Sequence, residues 1–210
     1  MDWTKLVTLK PLSEGTLRDI HASDQDIYPA DLPFDRLQAW ATAAPDLSIE
    51  FIADDSSDQT GPVSVGVVVA VPVKLDIWND LLSGVVKETN LEASTDFGSP
   101  DLESSRVVGV HIFHIERHAS YIGQQPVKAF GKFAVDSAVQ TAKKQGFTVV
   151  GTSALTATDD GERTFKRLEF VPTGYEEVWT AGEAPRSGSR EESMDDGSVF
   201  SRAIMMRRDE

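Results

Sequence analysis

The sequence predicts a single α/β domain spanning residues 1–210. Short β-branched runs with the period of a strand alternate with segments whose apolar residues recur every third or fourth position. With 210 residues, 40% of them apolar, the chain is of ordinary size for one such domain and can bury a continuous core. It contains no cysteine, so it must fold without disulfides or thiolate-bound metal.

"LVTLKPL" alternates as a first strand, and "GTLRDIHASDQDIYP" reads as a helix closed by Pro29. "PFDRLQAWATAAP" sets Phe34, Leu37, Trp40 and Ala41 at helical spacing between two prolines, ahead of a strand "LSIEFIA". "VSVGVVVAVPV" is too apolar for one wet face and reads as a central strand. A short helix, "KLDIWNDLLSG", stops at Gly84. "RVVGVHIFHIERH" is the strand richest in reactive side chains. "FTVVGTSAL" is another buried strand, "DDGERTFKRL" a short helix, and "GYEEVWTA" with "SVFSRAIMMRR" a closing pair of strands. The polar stretches near 93–105 and 182–197 are expected as mobile insertions.

A formal charge of -14, from 34 acidic against 20 basic residues, argues against nucleic acid and favours a cationic partner such as a small amine or a basic peptide. No segment approaches the ~18 unbroken apolar residues of a membrane span, and "MDWTKLVTLK" lacks the apolar core of a secretory signal. A cytoplasmic protein with no membrane partner is the expectation, with oligomeric state open.

"YIGQQPVKAFGK", residues 121–132, precedes a helix expected from Pro126 to Gln145. Proline suits a first helical turn. The amides of Val127, Lys128 and Ala129 would then face an anion favoured by the helix dipole, with Lys128 and Lys132 adding charge and Gly131 permitting close approach. The stretch reads as a pyrophosphate cradle, although glycine-containing turns before amphipathic helices are common.

On the strand at 106–118, alternation puts Val110, Ile112, His114, Glu116 and His118 on one face and His111, Phe113, Ile115 and Arg117 on the other. That separates His111 from the other two imidazoles and argues against a zinc site; no metal is expected.

The order of elements, the loop "QQPVKAFG" and the ending "TFKRLEFVPTGYEEVW" together resemble the GNAT superfamily of N-acetyltransferases over roughly residues 3 to 205. The resemblance implies a mixed, mostly antiparallel central sheet flanked by helices. It also implies binding of acetyl-CoA as co-substrate through a loop of pattern Arg/Gln-x-x-Gly-x-Gly/Ala, which falls on Gly123, Gln124, Gln125, Val127, Lys128, Ala129, Gly131 and Lys132. Ala129 stands at the pattern's earlier glycine, and Pro126 stands where Arg or Gln belongs. Ile115 would lend strand backbone to the pantetheine, and Thr158 holds the place of an asparagine that often contacts the coenzyme. Leu168 and Phe170 match the family's closing motif, whereas Glu169 replaces its glycine. Phe165 replaces a tyrosine that protonates the leaving thiolate.

The implied activity is acyl-CoA-dependent N-acyl transfer, directly to a small amine or basic peptide; a non-catalytic member of the same fold, binding acyl-CoA or a protein, is the alternative. Glu116 is the leading candidate for general base, flanked by His114 and His118, with a structural ion pair to Arg117 or Arg106 as the competing role. Tyr28 and Glu88 are candidates for the acceptor wall, Glu88 being otherwise a solvated loop acid. Trp40 is expected in the core.

Overall fold

The computed structural model describes residues 7–28, 30–54, 62–118, 129–180 and 199–210. Seven strands form one sheet in the order β1-β2-β3-β4-β5-β7-β6. They are β1 (Val7–Pro11), β2 (Ser48–Asp54), β3 (Pro62–Lys74), β4 (Val107–Arg117), β5 (Thr148–Thr156), β6 (Val171–Thr180) and β7 (Val199–Asp209). Every neighbouring pair is antiparallel except β4 and β5. The mixed, mostly antiparallel sheet is therefore as expected.

Helices cover both faces. On one lie α1 (Glu14–Ile27), α2 (Phe34–Ala43) and α3 (Leu75–Ser83), whose Leu17, Ile20, Leu37, Trp40, Trp78 and Leu81 pack on Val67, Val69, Val71 and Val73 of β3. Trp40 is fully buried in this core, its indole N–H donating to the Leu91 carbonyl. Gly84 ends α3 in the left-handed region at φ 79°, as the sequence predicts.

The opposite face carries α5 (Phe130–Lys144) and α6 (Asp159–Arg167). Phe130, Ala134, Ala138 and Ala142 of α5 recur every fourth residue and pack on Val68, Ala70, Val110 and Ile112. The 93–105 stretch carries α4 (Ala93–Asp96) and a 3₁₀ turn at Glu103–Ser105, and it is tied to β3 by the Val73–Phe97 bridge and a bond from the Gly98 N–H to the Pro72 carbonyl. Residues 182–197 lie outside the described residues.

Two departures from the sequence reading matter. First, α5 begins at Phe130, not Pro126: its N-cap Ala129 sits at φ 78°, a left-handed residue through which a right-handed helix cannot run. Second, β4 carries a β-bulge. His114 pairs with Val69 but Ile112 pairs with Ala70, so β4 spends two steps where β3 spends one. Alternation is interrupted at Phe113, and His111, Phe113 and His114 all face the α1–α3 layer while Ile115 packs toward α5. The sequence reading placed His111 opposite His114; the bulge brings them to one face.

Candidate functional site

β4 and β5 pair as far as Ile112–Ala154 and then part. Beyond that point the β5 side of β4 has no strand partner among the described residues, and a cavity of about 170 Å³ opens between the strands, walled by Asp24, Tyr28, Glu88, His114, Ile115 and Thr156 among others. A second cavity, of about 560 Å³, lies at the N-terminus of α5 and is lined by Arg117, Ala129, Gly131, Lys132, Thr164 and Arg167. Ile115, Thr158, Gly161 and Phe165 line both, so the two form one path from the helix end into the strand gap.

The outer cavity suits an anion. The α5 dipole ends there, and Arg117, Lys132 and Arg167 face Asp160 as its charged lining. Lys132 is paired with Asp136 one turn on, and Asp160 with Arg163. Gly131 keeps the wall low, since a Cβ there would meet Thr164 Cγ2 at 3.0 Å. Of the cradle residues expected from sequence, Ala129, Gly131 and Lys132 line this cavity. Gly123, Gln124, Gln125, Val127 and Lys128 lie outside the described residues.

The inner cavity is acidic and partly apolar. His114 is nine-tenths buried, its Nδ1 2.9 Å from Asp24 Oδ1 and its Nε2 3.5 Å from Glu116 Oε2. The second distance is an ion pair too long for a good hydrogen bond, and Nε2 is buried with no hydrogen-bond partner. Burial, the largest influence, disfavours the charged imidazole, but the contacts with Asp24 and Glu116 outweigh it and push its pKa up to about 9. Glu116 shifts the other way, its carboxyl held low mainly by His114.

Glu116 lines neither cavity: its side chain is 47% exposed and lies 3.5 Å from His114 Nε2. His118 is outside both walls too, its ring bonded to the Ser64 carbonyl at 3.1 Å. Of the three residues grouped as catalytic candidates, only His114 borders the gap, because the bulge turns it inward over α1. Asp24, absent from the sequence reading, holds it there. Asp24 stands on α1 one turn before Tyr28, the residue that caps the helix and whose N–H bonds the Asp24 carbonyl, so the two lie on the same side of the helix end.

Tyr28 and Glu88 both line the inner cavity. Tyr28 packs edge-on to Trp179 at 4.9 Å, and its hydroxyl oxygen is buried without a hydrogen-bond partner. Burial first, then Glu88 and Glu177, drives its phenol well above the ordinary range. Glu88 is not a solvated loop acid; it is 4% exposed and bonds His111 Nε2 at 2.6 Å. His111 Nδ1 lies 2.8 Å from Ser153 Oγ, which accepts the Trp78 indole N–H at 2.8 Å. Trp78 reaches that far because it lies over Gly109 and Gly151, where any Cβ would collide with its ring. Burial pushes the Glu88 carboxyl up, His111 offsets part of this, and Asp24 and Glu177 add to the rise. No group of three or more metal-ligating side chains is arranged to hold a metal among the described residues.

At the junction, Thr158 caps α6, its Oγ1 accepting the Gly161 N–H at 3.0 Å. Phe165 is 4% exposed and packs edge-on against Phe170 at 4.9 Å. Among the described residues, only Ala129 and Glu169 are non-glycines at positive φ, 78° and 67°. These are the two positions at which the resembled pattern has glycine.

No protein-family model matches the sequence, and neither does any curated protein. Solved structures match in fold. Ard1 from Thermoplasma volcanium superposes with a TM-score of 0.52 at 12% identity, over 97% of each chain. Arabidopsis thaliana Naa50, in complex with a bisubstrate analogue CoA-Ac-MVNAL, gives 0.52 at 14% identity over 96% of this chain and 97% of that one. Arabidopsis thaliana NAA60, in complex with acetyl-CoA, gives 0.54 at 12% identity over 97% and 98%. The chain has the GNAT fold that its sequence resembles.

Proposed function

We propose that the chain is an N-acyltransferase that takes its acyl group from acetyl-CoA and passes it directly to an amine. The carrying observation is the continuous path between the α5 N-terminus and the β4/β5 gap, joined at Ile115, Thr158, Gly161 and Phe165. One end suits a pyrophosphate and the other an amine, and acetyl-CoA is bound by Arabidopsis NAA60 of like fold.

The first amides of α5, at Phe130, Gly131 and Lys132, would hold the pyrophosphate, with residues 123–128 as further contacts from the sequence pattern. The open backbone edge of β4 at Ile115 would grip the pantetheine. Acetyl-CoA supplies the activated acyl carbon; the C–N bond forms as the C–S bond breaks, and coenzyme A departs as the thiolate, which takes its proton from solvent. His114 in its neutral form, with Nδ1 held by Asp24, would take the acceptor's proton at Nε2, and half-exposed Glu116, 3.5 Å from that same nitrogen, would pass the proton to solvent. Glu116 is thus an exit, not the base. Phe165 has no proton to give, but the Thr158 hydroxyl, which accepts the Gly161 N–H, would donate a hydrogen bond to the departing thiolate and stabilise its charge without losing its proton. The reading places the protein in the cytoplasm, supported by its cysteine-free sequence.

The test is thermal melting with acetyl-CoA together with free-thiol release across a panel of amines. Ligand at one hundred times its dissociation constant should stabilise by about 2.7 kcal/mol. Thiol release that depends on amine supports the enzyme. A melting shift with no release on any amine would leave the non-catalytic acyl-CoA binder.

A further inference from the structure

The hydrogen-bond chain behind Glu88 has a direction. An indole N–H can only donate, so Trp78 donates to Ser153 Oγ. Besides Trp78, which can only donate, Ser153 Oγ has His111 Nδ1 as its one partner among the described residues, so its own hydrogen goes to Nδ1. His111 is then the neutral tautomer with its hydrogen on Nε2, donating to Glu88 Oε1. The alternative, a hydrogen on Nδ1 and a protonated Glu88, would leave the Ser153 hydroxyl hydrogen buried and unused. Read this way, the chain uses every donor and delivers one uncompensated negative charge to the inner cavity wall.

Neighbouring charges do not cancel it. Lys87 lies 3.5 Å from Glu177 and answers that carboxylate, while the His114 imidazole is paired with Asp24 and Glu116. Tyr28 and His114 line the same cavity as Glu88, and each carries a buried polar atom without a hydrogen-bond partner, Tyr28 Oη and His114 Nε2. Glu88 bonds to His111 and Asp24 to His114, three residues along β4, or about 7–10 Å at ~3.3 Å per residue less the bulge.

From this, and resting on the acyl-transfer reading of the same cavity, we propose that the acceptor is a compact diamine. Glu88 and the Tyr28 hydroxyl hold its distal ammonium, and its reacting nitrogen lies at His114. A carboxylate buried with no counter-ion is costly, so a cation that completes it is held in preference to an uncharged group of the same size. The cavity of about 170 Å³ accommodates a short alkyl chain and not a folded peptide end with its side chains.

The experiment is calorimetric titration of the protein saturated with coenzyme A, using 1,4-diaminobutane and, for comparison, 1-aminobutane. The diamine should bind at least tenfold more tightly. Glu88→Gln should abolish the difference, and Tyr28→Phe, which leaves the Glu88–His111 bond untouched, should reduce it and keeps the test open if Glu88→Gln misfolds. Equal affinities for the two amines, or a preference unchanged in both variants, would overturn the proposal. Diamine binding without thiol release would sink the transferase reading and leave the cation site standing. Thiol release with peptides or monoamines and no diamine preference would do the reverse.

Discussion

His111 and His114 stand on one strand and one face, three residues apart, and each meets a carboxylate brought from outside the sheet. At His111 both ring nitrogens are used, by Ser153 and Glu88, and the ring is wholly buried. At His114, which borders the cavity, only Nδ1 is hydrogen-bonded, and Nε2 is buried with Glu116 3.5 Å away. The same side chain is a structural joint in one place and, in the other, an imidazole with one nitrogen held only by a loose ion pair to Glu116. What separates them is β5: it covers β4 at His111 through its pairing with Ser153 and is gone two residues later.

The largest effect should come from breaking the joint. His111→Leu leaves Glu88 buried without its partner and should cost about 3–5 kcal/mol in urea unfolding. The double variant with Glu88→Leu should recover much of that loss; a single variant as stable as the parent would mean the pair is not the anchor described. By contrast, His114→Gln should lower turnover by about 10²-fold while the acetyl-CoA melting shift stays the same. Unchanged turnover would move proton transfer to another group.

The two rings should also separate by pH. His114 must lose its proton to act as base, so kcat/KM should rise along a limb centred near pH 9. Asp24→Asn should draw that limb down toward the ordinary histidine value; a limb that ignores the substitution would detach it from His114. For stability the sign is fixed by the raised pKa. The folded-state value lies above the unfolded one of about 6.5, so the His114–Asp24 contact contributes fully below pH ~6.5 and is lost as pH rises through about 9. Unfolding midpoints compared between parent and Asp24→Asn across that window should converge at the alkaline end.

The smallest effect concerns the frame around the cleft. Ala129 and Glu169 hold left-handed backbone that costs a side chain about 1–2 kcal/mol. Ala129→Gly and Glu169→Gly should each raise stability by about 1 kcal/mol, measured by chemical denaturation, less whatever the added freedom of the unfolded chain removes. A loss in either variant would show that side-chain contacts outweigh the backbone strain there.

Much of the fold was legible in the residues because each element's burial is written in its own period. The fourfold spacing of Phe130, Ala134, Ala138 and Ala142 marked the inner face of α5, and Gly84 marked the end of α3. The site was less legible. Tyr28, before a helix-ending proline, was found as a cleft residue, and Glu88 was found as an acid with no means of telling buried from solvated. Asp24 carried no signal beyond its spacing from Tyr28.

By itself, then, the sequence determined the order of strands and helices, the glycine positions now held by Ala129 and Glu169, and the acid-rich character that favours a cationic partner. Each of these is a property of one segment or of composition. The tertiary structure alone decided which histidine faces the gap, because a β-bulge is a mismatch between two strands, β3 and β4, and is invisible in the alternation of either. It alone buried Glu88, since burial depends on Trp78, Ser153 and His111 arriving from three other elements. And it alone opened the cleft, which exists where two parallel strands cease to pair and no local pattern records that separation.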